Sequence, residues 1–230
     1  VVLAGAAASR ARIGLRRARV APDESRTAAL AFVLAHLAGG TAASMWLARY
    51  VFIGSSLTGV SAIEWLRFAL YPVDGAKTAV AMGLIFWHAA AVWGAATILR
   101  LASIWWRTAP RSAWRAVVVA AWAAPAALVA ARAGALGPGN PTWVLGPPVV
   151  LSMALAWGLP RLLRWRRHSS QAAAFLALFA ALALPSVAFY PAAFAQADRA
   201  TRTLIESDLA PQATRQRDDV QARVRRAMNQ

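Results

Sequence analysis

The sequence predicts an all-α polytopic membrane helix bundle, with about five transmembrane helices and a charged C-terminal linker helix. Three observations predict it. Hydrophobic residues make up 59% of the 230 positions, and the mean hydropathy is +0.47. They arrive in blocks of about twenty, the length that carries a helix across about 30 Å of hydrocarbon. Soluble helices keep one face wet instead. Positive charge gathers at the block ends, in RARIGLRRAR, IWWRTAPR and RLLRWRRH. Cytoplasmic loops hold arginine there, and Trp sits at the headgroups.

Residues 1–27 form a basic segment opened by VVLAGAAAS, read as the end of an upstream membrane helix in a longer chain cut at both ends. The bundle covers residues 28–195. Its spans run from about Ala28 to Phe52, Thr78 to Ile104, Trp114 to Ala131, Trp143 to Leu159 and Gln171 to Ala195. Between the first two, residues 55–72 carry Val60, Ile63, Trp65, Leu66, Phe68 and Leu70, an apolar stretch too short to span. It reads as an interfacial or re-entrant helix ended by Pro72. GALGPGNPTW is a tight turn, with Pro141 suited to the start of the fourth helix. Gly39, Gly40 and Ala43 in the first span, and Gly83, Ala90 and Gly94 in the second, mark faces where helices approach closely. Pro125, Pro147, Pro148 and Pro185 are expected to interrupt and kink their spans.

Loop charge sets the orientation. Arg10, Arg12, Arg16, Arg17, Arg19 and Arg26 precede the first span. Arg100, Arg107, Arg111 and Arg115 lie between the second and third, and Arg161, Arg164, Arg166 and Arg167 between the fourth and fifth. The opposite side holds only Arg49, Arg67, Lys77 and Arg132. The positive-inside bias therefore puts residues 1–27 in the cytoplasm, and five spans put residues 196–230 outside the bacterial inner membrane. That tail contains QADRATRTLIESDLA, helix-prone and expected to stop at Pro211. DDVQARVRRAMNQ follows, with acid early and base late as the helix dipole favours. Val220, Val224 and Met228 recur at spacings of four, a narrow stripe that needs a partner.

A pI near 11.9 would suggest nucleic acid in a soluble chain, but arginines at membrane flanks exclude that partner and leave the lipid bilayer. With no cysteine, disulfides, Cys-ligated zinc and thiol catalysis are excluded. All nine acids lie outside the apolar blocks, which argues against proton or cation coupling through them. Two histidines stand inside spans. His36 and His88 are both placed near mid-membrane on neighbouring helices, where they could ligate a haem iron or make a polar interhelical contact. His168, in RWRRHSS, reads as a flank residue. No phosphate loop, H-E-x-x-H or nucleophile elbow is present, so the segment offers no catalytic residue, cofactor site or metal site of its own.

AIEWLRFALYPVD, then GLIFWHAAAVW, then the exit from ALPSVAFYPAAFAQADRATRTLIESDLAPQ to Gln230 occur in an order that resembles the multi-span membrane sensor region of certain large bacterial sensor histidine kinases. The resemblance covers roughly residues 55 to 230. It implies a two-component phosphorelay protein in which Tyr190-Pro191 closes the last span. A charged helix then leads to an extracytoplasmic domain, a further span and a cytoplasmic kinase core. It also implies that ATP and a response regulator belong only to those further domains, and that two subunits pair as a homodimer. Tyr190, Pro191, Val220, Val224 and Met228 would then lie along a signal helix. A membrane transporter or carrier subunit is the alternative reading, and a bis-histidine haem protein a further one.

Overall fold

The computed structural model describes residues 25–66, 75–104, 112–132, 136, 141–166 and 170–228, and among them it holds helices and no strand. Helix α1 runs Arg26–Leu66, α2 Gly75–Ile104 and α3 Ser112–Ala131. A 3-10 turn, Thr142–Leu145, leads into α4, Gly146–Arg166. Helix α5 is Gln171–Leu204, followed by a π-helical turn, Ile205–Leu209, and α6, Ala210–Met228. Side chains start two of these helices. Ser25 Oγ accepts from the Ala28 amide at 3.1 Å, and Ser170 Oγ from the Ala173 amide at 3.3 Å. Each satisfies a donor that the first turn leaves without a backbone partner.

Five segments are long and apolar enough to cross a membrane: Arg26–Ser55, Ala81–Ile104, Ala113–Ala131, Thr142–Leu159 and Gln171–Gln196. They agree with the expected spans to within a few residues. Leu30, Leu34, Phe86, Phe175, Phe179 and Val187 are exposed on their outer faces. An apolar surface of this extent is a liability in water and the natural exterior of a bundle in lipid.

One expectation changes at the end of α1. The helix is 41 residues long, about 61 Å at about 1.5 Å per residue, which is twice the hydrocarbon thickness. The segment read as a separate interfacial helix therefore begins as an unbroken continuation of α1 through Leu66. Pro72, expected to end it, lies outside the described residues, as do residues 1–24 and His168.

Helices α1 and α2 form the antiparallel centre of the bundle. Helix α1 packs on α2, α3 and α5, and α2 also packs on α4 and α5. Their contact face is built from small and branched residues. Ala43, Leu47 and Val51 of α1 meet Ala91, Val92, Ala95, Ala96 and Leu99 of α2, all buried. Positions 92, 95, 96 and 99 recur at the three- and four-residue spacing of one helix face.

Glycine allows the closest approaches. A Cβ at Gly39 would stand 2.7 Å from Ala102 Cβ, and one at Gly94 would stand 2.9 Å from Trp46 Nε1. At Gly40 it would collide with the Ala121 carbonyl oxygen and stand 3.0 Å from Trp122 Cα. The same expectation fails at Gly83 and Ala90 of α2. A Cβ at Gly83 meets nothing within 4 Å, and Ala90 is exposed, because both turn away from α1.

The prolines divide into two kinds. Pro147 and Pro148 lie within the span Thr142–Leu159, where its 3-10 turn gives way to α4, and occupy the first turn of that helix, where no backbone donor is required. Pro125 in α3 and Pro185 in α5 are buried helix-interior residues. Each deprives the carbonyl four residues back, Ala121 or Ala181, of its usual partner. The freed Ala121 carbonyl is the one that Gly40 lies against.

These contacts predict opposite outcomes for two identical substitutions. Gly40→Ala should destabilise the bundle by about 1–3 kcal/mol through overpacking against α3. Gly83→Ala should be neutral or slightly stabilising, because alanine is the better helix former by up to about 1 kcal/mol. Thermal unfolding in detergent checks this, and equal melting temperatures would contradict the packing.

Candidate functional site

Three side-chain hydrogen bonds between helices meet at one turn of α2. Trp46 Nε1 of α1 donates to the Ala91 carbonyl at 3.0 Å. Ser152 Oγ of α4 lies 2.7 Å from the Pro148 carbonyl of its own helix and 3.3 Å from the Val92 carbonyl of α2. Trp93 Nε1 reaches the other way and donates to the Ala181 carbonyl of α5 at 3.0 Å. Residues 91, 92 and 93 thus link α2 to α1, α4 and α5 in succession, at the middle of the apolar window Ala81–Ile104. Hydrocarbon offers no water as a substitute partner, so the acceptors are used where they are needed. Ala181 is the carbonyl that Pro185 leaves free, and the Trp93 indole takes the place of the missing backbone donor.

Two aromatic clusters flank this turn, each holding one histidine. His36, buried on α1, places Nδ1 2.8 Å from the Phe32 carbonyl one turn earlier. Its ring lies 4.2 Å from that of Phe32 and stacks on Trp122 at 6.0 Å. Phe32 meets Trp114 edge-on at 5.1 Å, and Trp122 meets Trp157 at 6.2 Å, which ties α1 to α3 and α4. His88 of α2 belongs to the other cluster. It stacks on Phe189 of α5 at 5.1 Å and stands 5.9 Å from Tyr50 of α1, while Tyr50 and Phe189 are 4.7 Å apart. Trp122 Nε1 and His88 Nδ1 are buried without a hydrogen-bond partner among the described residues.

The two histidines are therefore not brought together. His88 lies beside Tyr50, which is about 14 positions and about 21 Å along α1 from His36 at about 1.5 Å per residue. Each histidine lies a few residues before the middle of its span. In antiparallel helices, an equal step back along each sequence moves the two residues to opposite sides of the midplane. Side chains this far apart cannot ligate one haem iron, whose axial ligands bind it directly. Among the described residues no group of three or more His, Cys, Asp or Glu is placed to hold a metal ion.

The proposed signal-helix residues lie along one path. Phe189 is buried in the bundle, whereas Tyr190 next to it is exposed, its ring 6.4 Å from that of Phe194. Pro191 lies within α5, and the helix does not end there. It continues past Gln196, where Asp198 and Arg202 pair at 3.0 Å on the surface. Nor does Pro211 stop the tail: the backbone passes through the wide turn Ile205–Leu209 and goes on to Met228. A proline ring collides with the carbonyl four residues back in an α-helix, and the wider turn just before it makes room. Val220, Val224 and Met228 are 55%, 52% and 77% exposed, so their stripe is covered by no helix among the described residues.

Sequence reasoning missed the residues that organise the interior, Trp46, Trp93, Trp122 and Ser152. Trp93 and Trp122 stand near the middle of their spans rather than in the interfacial belts, and an indole N–H at that depth needs an acceptor. Pro185 marks where such an acceptor becomes free. Comparison with family models, with curated proteins and with solved structures gives no match to this chain.

The separation of the histidines has a thermodynamic signature. Sites more than about 10 Å apart combine additively to within about 0.5 kcal/mol. The destabilisations of His36→Ala and His88→Ala should therefore sum in the double variant when measured by equilibrium unfolding. A coupling above about 1 kcal/mol would contradict the placement, since couplings of about 0.5–3 kcal/mol belong to residues in contact.

Proposed function

We propose that this chain is the membrane-embedded input module of a bacterial signal-transduction protein, of the sensor histidine kinase kind. One observation carries the reading. Helix α5, the π-helical turn and α6 make one continuous helical path from Gln171 to Met228, about 87 Å at about 1.5 Å per residue. Its apolar half is bonded to α2 at Ala181 and packed on α1 and α2 through Phe189. Its charged half continues through the turn Ile205–Leu209, against which α6 packs. A rigid helix anchored along its apolar half transmits a rotation or shift over its length.

On this reading a stimulus outside or within the bilayer biases the bundle between two arrangements, and the exit helix carries the bias onward. The loops rich in arginine face the cytoplasm, and α6 lies outside the cytoplasmic membrane. Two copies pair, and ATP and a response regulator act at domains beyond this segment.

The relay predicts a phase dependence in the intact gene product. One to four alanines inserted after Arg217 rotate everything beyond them by about 100° per residue. Autophosphorylation in membrane vesicles should swing with the insertion phase and recover near four residues. Output indifferent to the insertions, or a product that phosphorylates nothing, would overturn the reading. Alkaline phosphatase fused after Met228 should be active, as it is only outside the cytoplasm; an inactive fusion of normal abundance would reverse the topology.

A further inference from the structure

Pro185 and Trp93 together make a hinge with its own fastening. In α5 the carbonyl of Ala181 has lost its intrahelical donor to Pro185, and a helix bends most readily where the backbone ladder is broken. The acceptor is nonetheless taken, by the Trp93 indole of α2 at 3.0 Å. Beyond the break, Phe189 rests on the rings of His88 and Tyr50 at 5.1 and 4.7 Å. Before it, the outer face of α5 at Phe175, Leu176 and Phe179 is exposed.

We propose that the Trp93–Ala181 hydrogen bond is a latch across the proline hinge of α5, which holds the outer half of α5, and with it α6, in one orientation on the bundle. Trp93 supplies across a helix interface the donor that Pro185 withholds within the helix. When the indole lets go, the carbonyl must find another donor in hydrocarbon, and the bend at 181–185 is the movement open to it. The consequence for signalling rests on the relay reading, whereas the latch is a property of the bundle and is tested without it.

The chain has no cysteine, so pairs of introduced cysteines can be spin-labelled cleanly. Leu101→Cys with Phe175→Cys reports the helices before the hinge, and Met82→Cys with Phe194→Cys reports them beyond it. All four positions are exposed, and both pairs follow the register set by Trp93 on Ala181 and His88 on Phe189. Pulsed electron paramagnetic resonance in lipid gives the distance distributions.

Trp93→Phe, which keeps a ring but removes the donor, should widen the Met82–Phe194 distribution by about twofold and leave Leu101–Phe175 unchanged, as a hinge requires. Pro185→Ala restores a backbone donor to Ala181, so Trp93→Phe in that background should leave both distributions narrow. Overturning results are no change at either pair, equal widening at both, or failure of Pro185→Ala to rescue. The unchanged lower pair also certifies a folded bundle. A latch that fails this test leaves the insertion series after Arg217 free to succeed, and the reverse holds as well.

Discussion

Polar side chains inside a membrane must find partners within the protein, and here three hydrogen bonds between helices meet at one turn of one helix. Ala91 and Val92 offer carbonyls to Trp46 and Ser152, and Trp93 offers its indole to Ala181. These bonds fix how α2 is rotated and how deep it lies relative to three neighbours. Individually they are modest, since interhelical hydrogen bonds in bilayers average about 0.6 kcal/mol. Their effect lies in register. A helix face built from Ala91, Val92, Ala95 and Ala96 presents little shape to distinguish one sliding position from the next, and directional bonds supply the distinction.

The rest of the fold follows from holding α2 in place. With Trp46 bonded to Ala91, Gly94 lies beneath the same indole and Gly39 comes against Ala102, so the two central helices touch along their length. That register sets Tyr50 beside His88 and leaves His36 to the cluster around Trp122. Pro125 and Pro185, each of which weakens a helix on its own, release carbonyls toward a neighbour: Ala121 toward Gly40 and Ala181 toward Trp93. Helix α5, the least buried of the five apolar segments, is thereby joined to the centre at a defined height and continues through the turn Ile205–Leu209 into α6.

Composition and apolar block length made the helices and their number legible, because crossing hydrocarbon imposes a length that no soluble element needs. Gly39, Gly40 and Gly94 were legible as contact points for the same reason. Gly83 and Ala90 were not, since small residues also occur where a helix turns away, and only the rotation of α2 separates the cases. The histidine pair misled because depth along one helix says nothing of depth along its neighbour until a contact fixes the register. Pro211 misled because a wide turn relieves its clash without ending the helix. The interior tryptophans were hidden by their own abundance, as eleven of them invite an interfacial reading for all. A proline one turn from an indole's acceptor is visible only in three dimensions.

The account stands on the bonds to the 91–93 turn, and solid-state nuclear magnetic resonance reads them directly in lipid. With Trp indole nitrogen and Ala carbonyl carbon isotopically labelled, dipolar dephasing measures the distances from Trp46 Nε1 to the Ala91 carbonyl carbon and from Trp93 Nε1 to that of Ala181. A hydrogen bond with a 3.0 Å nitrogen–oxygen separation places the carbon at about 4 Å. The account predicts about 4 Å for both pairs in the wild-type bundle, with the Ala181 signal abolished by Trp93→Phe. Distances beyond about 6 Å, too long for any such bond, would contradict it.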